Sequence, residues 1–182
     1  MPRSVSRYSE RGPNSTASED PTDIQNSGLG PNIMIGQQLF GMTGSTTYPG
    51  IGCATCHVTS INTAPRGTPV DGGAFIVPPV LGNLTIHPYS DFLLHDVGTG
   101  DGIVQSTNIS NGQPDFSTAY KIRTAPLWGL HSRNRFLHNG TAITLMQAIE
   151  AHAGEAASTI YTFNNTLTPT QRQDIIDFLS SL

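Results

Sequence analysis

The chain has 182 residues and a formal net charge of −4, and only 12% of its residues are charged. That length suits one domain, the lack of any basic run argues against a nucleic-acid partner, and no stretch approaches the roughly 20 apolar residues of a membrane span. With 19 glycines and 13 prolines, it reads as a mainly α fold of few short helices and long irregular loops.

Residues 1–30 carry Ser, Thr, Asn, Gly, Pro and charges but few large apolar groups, and read as an extended N-terminal arm unable to bury enough surface to fold alone. The folded domain is expected over 31–182. Residues 31–42 read as a short helix: Pro31 suits a first turn, Ile35 and Leu39 stand at i and i+4, and Gly41 and Gly44 stop it. Next comes Cys53-Ala54-Thr55-Cys56-His57, which contains both cysteines of the chain. From Val58 to about Arg123 the periodicity is poor and prolines recur; Ala74–Val77 suits a short strand, and Tyr89–His95 a single helical turn. Residues 144–153 read as a helix opened by the capping pair Thr144 and Gln147 and stopped by Gly154. The final helix has Thr168 as N-cap, Pro169 in its first turn and Gln171 completing a second capping box. Its apolar stripe is Ile175, Phe178, Leu179 and Leu182.

C-x-x-C-H is the attachment signature of a c-type haem. Two thiols three residues apart can each add to a vinyl group of one porphyrin, and the next residue, His57, supplies an imidazole nitrogen to the iron. A thioredoxin-like redox pair, a lone disulfide and half a zinc site compete with this reading. The first needs a βαβ context that the pattern lacks, the second closes too small a loop to stabilise much, and the third needs a fourth ligand. One covalent haem c is therefore expected, in a cytochrome c-like domain whose closing helix packs on its first. Such haem is attached outside the cytoplasmic membrane, so a periplasmic or extracellular location is expected. The start, MPRSVSRYSE, lacks the apolar region of a signal peptide, and the sequence is expected to be a processed chain or a part of a longer one.

The far face of the iron decides function: a strong protein ligand makes an electron carrier, an open face permits ligand chemistry. The candidates are His87, His95, His131, His138 and His152, with Met34, Met42 and Met146. His87 precedes a proline in a polar loop and reads as surface, as does His131. His95 follows an apolar run and suits burial. His138 lies in a turn with Asn139 and Gly140, where a bond to backbone is the plain expectation. His152 stands seven residues after Leu145, on the apolar stripe of its helix, with Met146 on a different face. In a chain that must surround a haem, such a histidine is a ligand candidate.

Four ordered motifs carry a resemblance: C-x-x-C-H; Tyr89-Ser90-Asp91-Phe92-Leu93-Leu94-His95-Asp96-Val97-Gly98; Arg123-Thr124-Ala125-Pro126-Leu127-Trp128-Gly129-Leu130; and Arg135-Phe136-Leu137-His138-Asn139-Gly140 with Leu145, Ala148 and Ile149. Over roughly residues 33–182 the chain resembles the C-terminal haem domain of the bacterial di-haem cytochrome c peroxidase superfamily, closest to the di-haem (thiol) oxidoreductase branch. Members carry two haem domains, the N-terminal one doing the peroxide chemistry. Here there is one C-x-x-C-H, so the resemblance implies a catalytic half that is absent or sits on another polypeptide. It also implies a distal ligand fourteen residues after His138, a methionine in the peroxidases and His152 here. Bis-histidine ligation by His57 and His152 is expected, at a lower potential than His/Met ligation gives. The family's interdomain calcium site is not expected, because Arg133-Asn134-Arg135 departs from its pattern. The acidic turn Asp96–Asp101 reads as a solvated loop. Arg123, Arg133 and Arg135 are candidates for pairing haem propionates, because guanidinium matches carboxylate bidentately. Trp128 is a candidate electron relay or an ordinary core aromatic.

The leading reading is a single-haem electron-transfer domain serving a redox partner protein or a second haem domain, with no bond-making chemistry. A peroxidase-like subunit whose distal ligand dissociates is the alternative. A haem module that self-assembles into a longer conduit, through the 1–30 arm, is a third.

Overall fold

The computed structural model describes residues 30–42, 45–103, 109–110, 113–114 and 116–182. The expected arm over 1–30 lies outside the described residues, Gly30 excepted.

Among the described residues there are four α-helices: α1 (Pro31–Phe40), α2 (Leu145–Glu150), α3 (Ala157–Asn165) and α4 (Pro169–Leu179). Helix α1 starts on its proline and stops at Gly41, whose φ of 109° is open to glycine and whose N–H caps the last turn. Helix α4 opens as its sequence predicts. The Thr168 hydroxyl accepts from the Gln171 N–H, and the Gln171 side chain accepts from the Thr168 N–H. Its stripe of Ile175, Phe178, Leu179 and Leu182 is buried throughout.

The expected packing of the closing helix on the first is present, and it is very close. A Cβ on Gly36 would lie 1.9 Å from the Asp174 carbonyl oxygen and 2.8 Å from the Phe178 Cβ, so only glycine admits this approach. Asn32 Nδ2 donates to Asp177 Oδ2 across the same crossing, at 2.6 Å. Around it lies the core of Leu39, Phe40, Tyr89, Leu130, Phe163, Ile175, Phe178, Leu179 and Leu182. The rings of Phe40, Tyr89 and Phe178 meet edge to face, with centroids 5.4–6.2 Å apart.

Between the first and last thirds run two-residue antiparallel ladders. β1 (Ile61–Asn62) pairs with β4 (Thr85–Ile86), β2 (Pro69–Val70) with β3 (Phe75–Ile76), β5 (Leu94–His95) with β8 (Ile122–Arg123), and β6 (Ile109–Ser110) with β7 (Gln113–Pro114). The strand expected at Ala74–Val77 is β3.

Two expectations are corrected. Tyr89–His95 is not a helical turn: Tyr89 and Phe92 have φ of 51° and 59°, and Leu94–His95 is a strand. Bonds from sequence-distant groups hold this backbone. Helix α2 ends at Glu150, and Gly154 is not its stop. Gly154 opens a single 3₁₀ turn that leads into α3, a helix the sequence reading did not anticipate. Glycine is needed there for another reason: its φ is 52°, and a Cβ would lie 2.3 Å from the Asp96 carbonyl oxygen. No helix among the described residues is long and apolar enough to cross a membrane.

Candidate haem-attachment site

The C-x-x-C-H run forms a single 3₁₀ turn over Cys53–Thr55, entered through Gly52 at φ 103°. It sits against α1: Ile51 N–H donates to the Leu39 carbonyl, and the Phe40 and His57 rings lie 6.2 Å apart. Three bonds clamp it to the Tyr89–Asp91 backbone. His57 Nδ1 donates to the Tyr89 carbonyl at 2.8 Å, Ser90 N–H to Val58, and Asp91 N–H to Cys56, each of the last two at 2.9 Å. Tyr89 is itself locked into the core, so the α1–α4 crossing is transmitted to the His57 imidazole.

Ser90 secures the clamp from behind. It is fully buried; its hydroxyl donates to the Thr124 carbonyl at 2.7 Å and accepts from the Phe92 N–H at 2.9 Å. Ser90→Ala orphans both backbone groups, each worth about 1–3 kcal/mol when buried. The expected loss is roughly 2 kcal/mol, read as a lowered urea midpoint with an unchanged slope.

Both cysteines are free thiols. Burial pushes the Cys53 thiol up to about 12. Cys56 is also raised, by burial first and then by the charges of Asp91 and Glu155. For His57 burial lowers the pKa, partly offset by the bond to Tyr89, and the charge of His152 lowers it further. His57 is thus a neutral imidazole with its proton on Nδ1 and a lone pair on Nε2, the state a metal ligand needs.

His152 repeats that arrangement. Its Nδ1 donates to the Ala148 carbonyl at 2.7 Å, leaving Nε2 as its second nitrogen. Its position is fixed by lacing of the 153–155 backbone onto 96–97: Ala153 N–H donates to Val97 and Glu155 N–H to Asp96, both at 2.8 Å. Glu155 Oε1 accepts from the Asp96 N–H in return. Two unpaired thiols next to an imidazole with one nitrogen left over are a donor set that would suit a haem, and His152 offers a second such imidazole.

The other candidates have partners or exposure of their own. Arg123 donates to the Phe92 carbonyl, and Arg133 donates to the carbonyls of Pro126 and Trp128 at 3.1 and 2.8 Å. Arg135 is exposed. Trp128 is 39% exposed, and its Nε1 donates to the His87 carbonyl. His87, expected at the surface, is buried, and there its Nδ1 bonds the Thr59 carbonyl. His138 bonds a side chain, Asp101 Oδ2, at 2.6 Å rather than backbone. His95 is half-buried and ion-paired on both nitrogens, to Asp91 Oδ2 and Glu155 Oε2, at 2.8 Å each. The Asp91/His95 spacing of four was visible in the sequence, but Glu155 arrives from sixty residues away with no local signal.

No curated protein gives a significant match. A solved structure of Kuenenia stuttgartiensis hydrazine synthase pressurised with xenon is similar at 22% identity and a TM-score of 0.47, over 85% of this chain and 47% of that one. The chain thus spans about half the length of that neighbour. A family model described as "Di-haem oxidoreductase, putative peroxidase" matches residues 40–182, most of the chain, and the protein is a member of the di-haem oxidoreductase family.

Proposed function

We propose that this chain is a cytochrome c-like electron-transfer domain holding one haem c through Cys53 and Cys56, with His57 and His152 as axial ligands. The observation that carries the reading is the matched state of the two histidines. Each gives its Nδ1 proton to a backbone carbonyl and keeps Nε2 for coordination. The haem, when bound, supplies the one-electron ferric/ferrous couple. The chain's own residues do the rest. Tyr89 fixes the proximal ring, the Ala148 carbonyl fixes the distal ring, and the aromatic core excludes water behind His57. Two strong nitrogen ligands leave no open position for peroxide.

Arg123, Arg133 and Arg135 remain the propionate-pairing candidates and Trp128 the candidate relay. A redox partner protein or a second haem domain exchanges the electrons, and a homo-oligomer is the self-partnered form of the same arrangement. Attachment through thioethers would favour the periplasm or the outside of the cell.

The test is low-temperature EPR of the oxidised protein, with His152→Ala and His152→Met beside it. A low-spin bis-imidazole signal that disappears in both variants is expected. A high-spin signal in the unaltered protein overturns the ligand pair and puts the peroxidase-like enzyme first, with peroxide turnover as the next assay.

A further inference from the structure

We propose that His95 is a redox-linked proton site: it binds a proton from solvent when the haem gains an electron and releases it when the electron leaves. This rests on the haem reading of Cys56 and His57.

The geometry is a carboxylate clamp. His95 Nε2 meets Asp91 Oδ2 and His95 Nδ1 meets Glu155 Oε2, both at 2.8 Å. A neutral imidazole has one N–H and can donate only once; both bonds are donated together only by the imidazolium. Deprotonation therefore breaks one of them and leaves two carboxylates facing each other across the ring. The clamp lies at the haem attachment point. One donor atom each of Cys56, Asp91 and His95 lie within 4.8 Å of one another, and Cys56 is the residue that becomes a thioether. His95 is also electrostatically coupled to His57, so its charge is felt at the proximal ligand.

Neighbouring groups share in the balance. Asp91 belongs to the loop that grips Cys56, and its carboxylate is also held by the Leu93 N–H. Glu155 comes from the turn before α3; it also accepts from the Asp96 N–H and feels Lys121 from the segment before β8. Arg123, on the strand paired with β5, is turned to the Phe92 carbonyl. With His95 protonated, Asp91, His95 and Glu155 sum to one negative charge; with it neutral, to two. An electron delivered by the redox partner makes the haem less positive and so favours the imidazolium. The proton enters from water along Glu155, whose side chain is 48% exposed. One electron and one proton arrive together, and both leave on oxidation.

Hydrogen bonds from His95 to Glu155 and then to Asp91 raise its pKa above the usual 6.5 against the opposing effect of burial, so the coupled window lies on the alkaline side of an ordinary imidazole. The test is the midpoint potential of the haem-loaded protein across pH, alongside His95→Gln and Glu155→Gln. In the unaltered protein the potential is flat at low pH, then falls in that window with a slope approaching tenfold, about 59 mV, per pH unit. Glu155→Gln moves the fall to lower pH. His95→Gln removes that fall, leaving only any propionate contribution. A side-chain NMR titration of His95 in the oxidised and reduced forms is expected to give a higher pKa in the reduced form. A slope that survives His95→Gln, or equal pKa values in the two redox states, overturns the inference. The optical and EPR spectra in the same samples report the haem and its ligands at every pH, so failure of the haem reading is seen separately.

Discussion

Gly36→Ala is expected to cost more stability than the same change at any other described glycine that keeps a negative φ. The added Cβ would lie 1.9 Å from the Asp174 carbonyl oxygen, well inside contact, and 2.8 Å from the Phe178 Cβ. Neither obstacle is a flexible side-chain tip that swings aside. Helices α1 and α4 must separate, and Phe40, Tyr89 and Phe178 lose their mutual contacts with them. Overpacking usually costs about 1–3 kcal/mol, and a clash with backbone belongs at or beyond the top of that range. Against a total of about 5–15 kcal/mol, the expected loss of roughly 3 kcal/mol or more lowers the thermal midpoint by many degrees. His57 is held by the Tyr89 carbonyl, so on the proposed haem reading haem incorporation is expected to fall in parallel. A melting profile indistinguishable from the unaltered protein would refute the crossing.

Removal of both thiols gives the second large effect. Cys53→Ala with Cys56→Ala is expected to abolish covalent haem completely, so that a haem-stained denaturing gel shows no signal at the chain's mass. Each single variant keeps one thioether and stays stained. The physical basis is that these are the only two thiols in the chain, so no other residue can form a thioether. Burial raises both thiols, Cys53 to about 12, which disfavours the thiolate that oxidation and disulfide exchange require. Stain that persists in the double variant would sink the thioether assignment.

The parts of the fold legible from the sequence are those whose cause is local. The α4 capping box, the apolar stripe behind it and the α1 stop at Gly41 are each encoded within a few residues, and each formed as read. Helix α3 was missed because Ser158, Thr159, Thr162, Asn164 and Asn165 are mediocre helix formers. Its helicity comes from burying Phe163 in the core. The Tyr89–His95 segment was misread for the complementary reason. Its apolar spacing suits a turn of helix, yet pairing with β8 and the bonds of Ser90 to Thr124 and Tyr89 to His57 outweigh local preference. Of the site, the sequence displayed Cys53, Cys56 and His57 as one word and His152 as a place on a stripe. It did not display the Glu155 carboxylate on His95, because lacing of 153–155 onto 96–97 is a tertiary event.

The α1–α4 crossing also orders events in time. Asn32 and Asp177, which bond across it, are 145 residues apart in the chain. Contacts of such separation form late, because a long loop must close before any reward is collected. Helix α1 therefore waits, with Cys53 and Cys56 unshielded beside it, until α4 docks on it. On the proposed haem reading, that interval is when the two thiols are most open to a porphyrin. A variant that hastened closure of the crossing would shorten the interval and lower the yield of loaded protein, although its folded form were more stable.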